Sequence, residues 1–315
     1  MTWSWAIYLY LWMAGMAGGA YFAAFLAMRF TGLAGKKVLK MATCVGIPLA
    51  VIGVILLVVE LGQPLRFWHL FTQFDVLSPM SMGTWILLLW VGIAVIMAIL
   101  WWAESRLSIE TAGSMGMLIN GLGWIEVILS VLLIAYTGVL LAVSSQPLWA
   151  STALLPALFV ASAVSTGVAI LIICALVLNA VGKGAFFELK LAINQITGST
   201  DWSIPNRIIG RLAEVDAIVI IIELAVLIGY AIWLATSSMT GAGDALGLLT
   251  TGTLAVPFWL GVVLVALLIP LGLEITNWGK ELKRKAVLGA ITASSACVVL
   301  GGLVLRAVIV VGGQL

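Results

Sequence analysis

Along the chain, apolar residues gather into eight uninterrupted runs, at approximately 3–28, 42–61, 83–103, 118–143, 153–181, 212–235, 252–274 and 287–311, separated by short polar connections. A hydrocarbon core about 30 Å thick needs roughly 20 helical residues to cross it, and each run reaches that length. The runs are continuous rather than alternating. That selects helices over barrel strands, because a helix satisfies its backbone hydrogen bonds within one segment. The pattern predicts an all-α integral membrane protein with eight transmembrane helices.

Composition narrows the partners. Of 315 residues, 63% are apolar and 9% charged, where a soluble domain carries about 45–50% and about 25%. So little polar surface cannot cover a water-soluble shape, and the shortage of charge excludes disorder. With a formal net charge of +2 and no long basic tract, nucleic acid is excluded and membrane lipid is the expected surroundings.

Charge gives a direction to the helices. Arg29, Lys36, Lys37, Lys40, Arg106, Lys183, Lys190, Arg207, Arg211, Lys280, Lys283, Arg284 and Lys285 fall in alternate connections, thirteen residues against only Arg66 and Arg306 in the other set. Lys and Arg are retained on the cytoplasmic side, so both termini are expected outside. No Lys or Arg precedes the first run, which therefore lacks the basic start of a cleavable signal and is expected to stay as the first helix. Trp3, Trp5, Trp68, Trp149, Trp202 and Trp278 lie at run ends, where indoles anchor at the headgroup level. Residues 182–211 mix Phe186, Phe187, Leu189, Leu191 and Ile193 with Lys190 and Asn194, which predicts an interfacial helix.

Redox metals lack ligands in this sequence. Cys44, Cys174 and Cys297 are far apart, each inside an apolar run, and read as packing residues. His69 is the single histidine, which excludes a bis-His haem. Neither a haem nor an iron–sulfur cluster is expected in this chain.

Carboxylates inside the runs need a reason, since each costs about 2.5–3.5 kcal/mol at the bilayer centre on insertion scales. Glu126, Ser130 and Thr137 fall within roughly 40° of one another on a helix and form a stripe, with Tyr136 beside its top. Asp216, Glu223 and Tyr230 recur every seven residues, on one face at intervals of about 10.5 Å, and should face the interior. Either stripe reads as a water-assisted proton path or as interhelical hydrogen bonding. The small residues Gly15 to Ala20 admit a close backbone or a flat ring. The connection after the second run gathers Glu60, Gln63, Arg66, His69, Asp75 and Ser81. It reads as a docking surface or redox site, or else as a solvated turn with a helix cap at Ser81.

Taken in order, these motifs carry a resemblance. Met13-Ala-Gly-Met-Ala-Gly-Gly-Ala, Glu60-Leu-Gly-Gln-Pro-Leu-Arg-Phe with Ser78-Pro-Met-Ser-Met-Gly, Tyr136-Thr-Gly-Val-Leu-Leu and Arg306-Ala-Val-Ile-Val-Val-Gly-Gly-Gln span essentially the whole chain. The sequence resembles the NrfD/PsrC family, the quinone-reactive membrane subunits of polysulfide reductase-like molybdoenzyme complexes and related respiratory assemblies. The resemblance implies two four-helix bundles, here 1–150 and 151–315, in a prokaryotic inner membrane. It also implies an exchangeable quinone or menaquinone near the outer face of the first bundle, serving anaerobic respiration. The implied partners are a ferredoxin-like iron–sulfur subunit and a catalytic subunit, either a molybdopterin enzyme or a multihaem cytochrome.

On that basis Tyr136 is the first expected quinone partner and Tyr10 the second, with Glu60, His69 and Arg66 nearby. Some members place His or Asn at the outer end of the first helix, where this chain has Tyr8 and Tyr10. Glu126, Ser130, Thr137, Asp216, Glu223 and Tyr230 are the expected proton-path residues, and Gln63, Asp75 and Ser81 the expected docking residues. A secondary transporter or proton channel built on the Asp216 and Glu223 face is the rival reading, and a passive anchor is a third. Against a transporter, Pro48, Pro156 and Pro257 lie near run starts and only Pro270 lies well inside a run, so paired broken helices are not expected.

Overall fold

The computed structural model describes residues 4–60, 79–104, 109–143, 148–149, 152–180, 204–239, 241–280, 282 and 285–315. Among these residues the structure is helical throughout. The helices are α1 (Trp5–Thr31), α2 (Leu33–Glu60), α3 (Pro79–Glu104), α4 (Ile109–Ala142), α5 (Leu154–Ala180), α6 (Asn206–Thr236), a short α7 (Ala242–Thr250), α8 (Pro257–Thr276) and α9 (Lys285–Gly312). All but α7 contain a stretch long and apolar enough to cross a membrane, as the eight runs predict. The chain is an all-α multi-pass membrane protein.

Several boundaries differ from the apolar runs. α2 begins at Leu33 rather than near 42, so Lys36, Lys37 and Lys40 lie in its first turns and Pro48 lies well inside it. α6 begins at Asn206, so the end of the expected interfacial segment belongs to a spanning helix; 181–203 lie outside the described residues. An apolar run marks only the lipid-immersed part of a helix. Backbone hydrogen bonds continue past it wherever polar side chains reach water.

α1 is the axis of the molecule. It packs against α2, α4, α5 and α9, while α6 lies against α5, and α8 against α9. Its small residues explain the closeness. A Cβ on Gly19 would overlap the Ala163 carbonyl of α5, and one on Gly167 would overlap α1 at Gly19 and Ala20. Of the two readings of this stripe, helix-to-helix contact is what occupies it. Hydrogen bonds between helices add to the packing: Trp12 Nε1 donates to the Val299 carbonyl of α9 at 3.0 Å. α8 starts as a π-helix over Pro257–Leu268 and continues as α-helix, and Gly301 of α9 sits directly against the backbone of its Ala266.

The helix order puts the N-terminus, the α2–α3, α4–α5 and α6–α8 connections and the C-terminus at one end, here the terminal end. The lysine-rich connections lie at the other. Trp5 and Trp278 are about half exposed, consistent with anchors at the two ends. Trp149 is not an anchor: it is buried, donates from Nε1 to the Ile309 carbonyl at 2.7 Å and fills the space beside Gly313. A position at a run end suggests lipid headgroups, but here Leu148 and Trp149 pack inward against the end of α9. Trp3, Trp68 and Trp202 lie outside the described residues.

Candidate functional site

Two polar regions lie inside the helices. At the terminal end of the first half, Tyr10 on α1 and Tyr136 on α4 are buried neighbours. Their hydroxyls are close enough to interact, but not in the geometry of a normal hydrogen bond, and Tyr10 Oη has no other partner among the described residues. The Tyr136 ring occupies the space that a Cβ on Gly83 of α3 would need, so the ring lies directly on that helix's backbone. Gly53 of α2 faces Tyr10, with room for a Cβ only at 3.3 Å from the ring. Two phenols are thus enclosed by α1, α2, α3 and α4, with one hydroxyl lacking a normally bonded partner among the described residues.

Glu60 stands at the same end. Its Oε1 accepts from the Ser4 backbone N–H at 3.2 Å and its Oε2 from Ser4 Oγ at 2.5 Å. Ser4 is the N-cap of α1, so Glu60 ties the end of α2 to the start of the helix that carries Tyr10. Ser81 is buried in the first turn of α3 rather than preceding it, because the helix already starts at Pro79; the cap reading does not hold. Gln63, Arg66, His69 and Asp75 lie outside the described residues.

The Glu126 stripe is less continuous than its angular spacing suggests. Glu126, Ser130 and Thr137 are all completely buried, but Ser130 Oγ accepts from Trp90 Nε1 at 2.8 Å and Thr137 Oγ1 donates to the Ile134 carbonyl at 2.6 Å. Neither oxygen of Glu126 has a hydrogen-bond partner among the described residues.

The second half holds a longer file. Asp216, Glu223 and Tyr230 are all buried on α6, as their spacing of seven requires. Asp216 Oδ1 accepts from Ser165 Oγ of α5 at 2.8 Å. Glu223 interacts with Ser162 of α5 and with Arg306. Tyr230 Oη donates to the Leu148 carbonyl, which pins the α4–α5 connection. Glu274 of α8 accepts from Ser294 Oγ of α9 at 2.7 Å and is in electrostatic contact with Asp216.

Arg306 corrects the charge count. It is not at the membrane surface but completely buried, six residues before the end of α9. Its guanidinium donates to the Leu11 carbonyl of α1 at 3.3 Å, to Ser162 Oγ at 3.3 Å and to the Gly302 carbonyl at 2.9 Å, with the Phe159 ring 5.5 Å away. A Cβ on Gly15 would come within 2.8 Å of Nη2, so that glycine leaves room for the guanidinium. Arg306 therefore joins α1, α5 and α9 and faces Glu223 of α6, one residue along α1 from Tyr10. Ser162, Ser165, Glu274 and Ser294 complete the file. Glu274 and Arg306 were visible as charges close to run ends; the serines carry no signal until the helices that face them are known.

Fold and side chains together define a polytopic helical membrane protein with two buried phenols at one end and buried carboxylates, serines and one guanidinium through its second half. The comparison with known proteins is more specific. The chain belongs to the NrfD polysulphide reductase family, whose model, Polysulphide reductase, NrfD, matches residues 1–315. It is 27% identical to Protein NrfD of Escherichia coli (strain K12), covering 100% of this chain and 96% of that protein. It is also 27% identical to the C subunit of polysulfide reductase from Wolinella succinogenes, covering 100% and 95%. With Protein NrfD homolog of Haemophilus influenzae it shares 25% identity over 86% of this chain and 82% of that protein.

Proposed function

We propose that this membrane subunit binds quinol and quinone for a respiratory reductase complex, exchanging electrons between the membrane quinone pool and an iron–sulfur partner subunit. Family membership supports the subunit role. The observation that carries the quinone reading is the enclosed pair Tyr10 and Tyr136, with Tyr10 Oη buried and without a normally bonded partner among the described residues. A phenol donates to a carbonyl or accepts from a hydroxyl, so this pair suits either redox form of a quinone headgroup. When bound, the quinone supplies two-electron, two-proton chemistry. Tyr136 and Tyr10 would hold its oxygens, and Glu60 acts as a positioning residue by fixing the N-terminus of α1 through Ser4.

In this reading 1–150 form the quinone-binding bundle and 151–315 a second bundle, both termini lie outside, and menaquinone is the exchangeable lipid. The family resemblance adds His69 and Arg66 as candidate headgroup residues and Gln63, Asp75 and Ser81 as candidate docking residues for the iron–sulfur subunit and its catalytic partner. Electrons pass to the partner's cluster. Protons move through side chains of this chain. The Asp216, Glu223 and Tyr230 face supplies the file, extended by Glu274 and Arg306, with water bridging gaps longer than one hydrogen bond.

Quinol-dependent turnover of the purified complex tests the assignment. Tyr136→Phe keeps the ring on Gly83 and removes only the hydroxyl; we expect turnover to fall at least about tenfold, the equivalent of about 1.4 kcal/mol, with folding unchanged. Turnover at the wild-type rate in Tyr136→Phe and in Tyr10→Phe would overturn it.

A further inference from the structure

A cavity of about 260 Å³ opens at the lysine-rich end of the first half, between α1, α2, α3 and α4. Phe25 and Met28 of α1, Lys36 of α2, Trp101 of α3, and Asn120 and Gly123 of α4 are among its walls. Asn120 is exposed and Lys36 half-buried, so the mouth lies on their side. Water occupies about 30 Å³ per molecule in the liquid, so this volume has room for several. The lining is mostly apolar, and Lys36 and Asn120 supply the polar groups that water entering at the mouth would bond to.

The cavity points toward Glu126. Its deepest α4 residue, Gly123, is one helical turn from Glu126, and a Cβ there would lie 3.7 Å from Tyr21 Oη and 3.3 Å from the Phe25 ring. Tyr21 in turn is within electrostatic reach of Glu126 and donates to Met97 Sδ at 3.3 Å. Tyr21 on α1 is the titratable group that interacts with Glu126, with the Trp90 ring of α3 6.4 Å from that of Tyr21, and with Lys36 and Lys40 of α2 and Arg29 of α1 further out toward the mouth. Phe25 and the missing side chain of Gly123 form the narrow step between the cavity and the carboxyl group.

Beyond Glu126 the way is closed. Ser130 is bonded to Trp90, Leu133 and Ile134 are buried, and Thr137 is bonded to its own helix. Gly18 brings α1 down onto this stretch: a Cβ there would lie 2.9 Å from Ile134 and 3.2 Å from the Ser130 carbonyl. A carboxyl group with both oxygens unpartnered exchanges a proton only if water or a donor reaches it.

We infer that Glu126 is a one-ended proton-exchange site, filled and emptied by water through the cavity at the lysine-rich end, with Gly123 and Phe25 as its gate. A hydronium ion in the cavity loses one O–H bond as a Glu126 carboxylate oxygen gains one, leaving water behind, and the reverse transfer to water returns the proton by the same opening. The inference rests on the proton-path part of the proposed function and adds to it: passage across the membrane stays with the Asp216 to Arg306 file, and Glu126 is a side chamber facing one aqueous phase.

Infrared difference spectroscopy of the intact complex in vesicles tests this without quinol. The carboxylic-acid carbonyl band that is missing in Glu126→Gln belongs to this group, and its shift on transfer to D₂O times the exchange. Gly123→Leu fills the step, and Asn120→Cys capped with a membrane-impermeant charged thiol reagent from the lysine-rich side closes the mouth. Each is expected to slow exchange at least about tenfold, the equivalent of about 1.4 kcal/mol, with the capped protein compared against the same variant uncapped. The capped variant decides the matter if Gly123→Leu fails to fold. Exchange unchanged by capping, or no exchange in the wild type over hours, would overturn the inference; a complex that still turns over quinol would leave the quinone reading standing.

Discussion

The two halves of the molecule treat their buried carboxylates in opposite ways. On α6 and α8 every buried acid has company: Asp216 has Ser165, Glu223 has Ser162 and Arg306, and Glu274 has Ser294. On α4, Glu126 has no bonded partner among the described residues, only a cavity one turn away. A charge is tolerable inside a membrane protein when donors replace its hydration, and hydrogen bonds between helices also fix how they pack; each second-half acid has such a bond or a cation on one side, while Asp216 Oδ2, Glu274 Oε2 and Arg306 Nη2 have no partner among the described residues. The second half thus joins structure to a polar file. Glu126, unlike Glu60 at the end of α2, makes no hydrogen bond that joins helices among the described residues, and it is free for chemistry that depends on who reaches it.

Arg306→Leu should break the comparison most strongly. It strips donors from the Leu11 and Gly302 carbonyls and leaves Glu223 without its cation, and losing one side of a buried pair costs about 3–5 kcal/mol. Thermal melting in detergent should show a large drop, with Glu223→Gln restoring part of it in the double variant. A wild-type melting curve would mean that the guanidinium is not the link between the halves. Gly19→Leu comes next. Its side chain meets the Ala163 backbone of α5, where no rotamer change gives relief, and we expect a loss of about 1–3 kcal/mol on the same assay. Unaltered stability would show that the α1–α5 contact is loose.

The smallest effect belongs to Glu126→Gln. It removes no hydrogen bond and creates no cavity, so none of the usual sources of destabilisation applies and the change should stay below about 1 kcal/mol. A loss as large as that of Arg306→Leu would show that Glu126 is bonded within the fold after all, and would erase the contrast between the halves.

What the sequence discloses follows the physics that writes it. Lipid demands long apolar helices, so the eight spans are legible from hydropathy alone, and the seven-residue spacing of Asp216, Glu223 and Tyr230 fixes a common face that the fold buries. Arg306 misleads because a basic residue near the end of a run ordinarily reaches for the headgroups; here Gly15 and Gly302 give it space inside. Ser162 and Ser165 are indistinguishable from any small residues of a spanning helix until α5 is set against α6 and α9. The Glu126 stripe looks continuous on a helical projection because a projection omits Gly18, whose lack of a side chain lets α1 close over it. Lys36, Lys37 and Lys40 read as a connection since they interrupt the apolar run, although a helix carries such residues easily once it leaves the hydrocarbon.

The most direct measurement is the location of a bound quinol analogue in a structure of the complete complex. The account predicts its headgroup at the terminal end, within hydrogen-bond distance of the Tyr136 or Tyr10 hydroxyl and beside Gly83. A headgroup in the cavity bounded by Lys36, Asn120 and Trp101, at the opposite end of the same four helices, would contradict it.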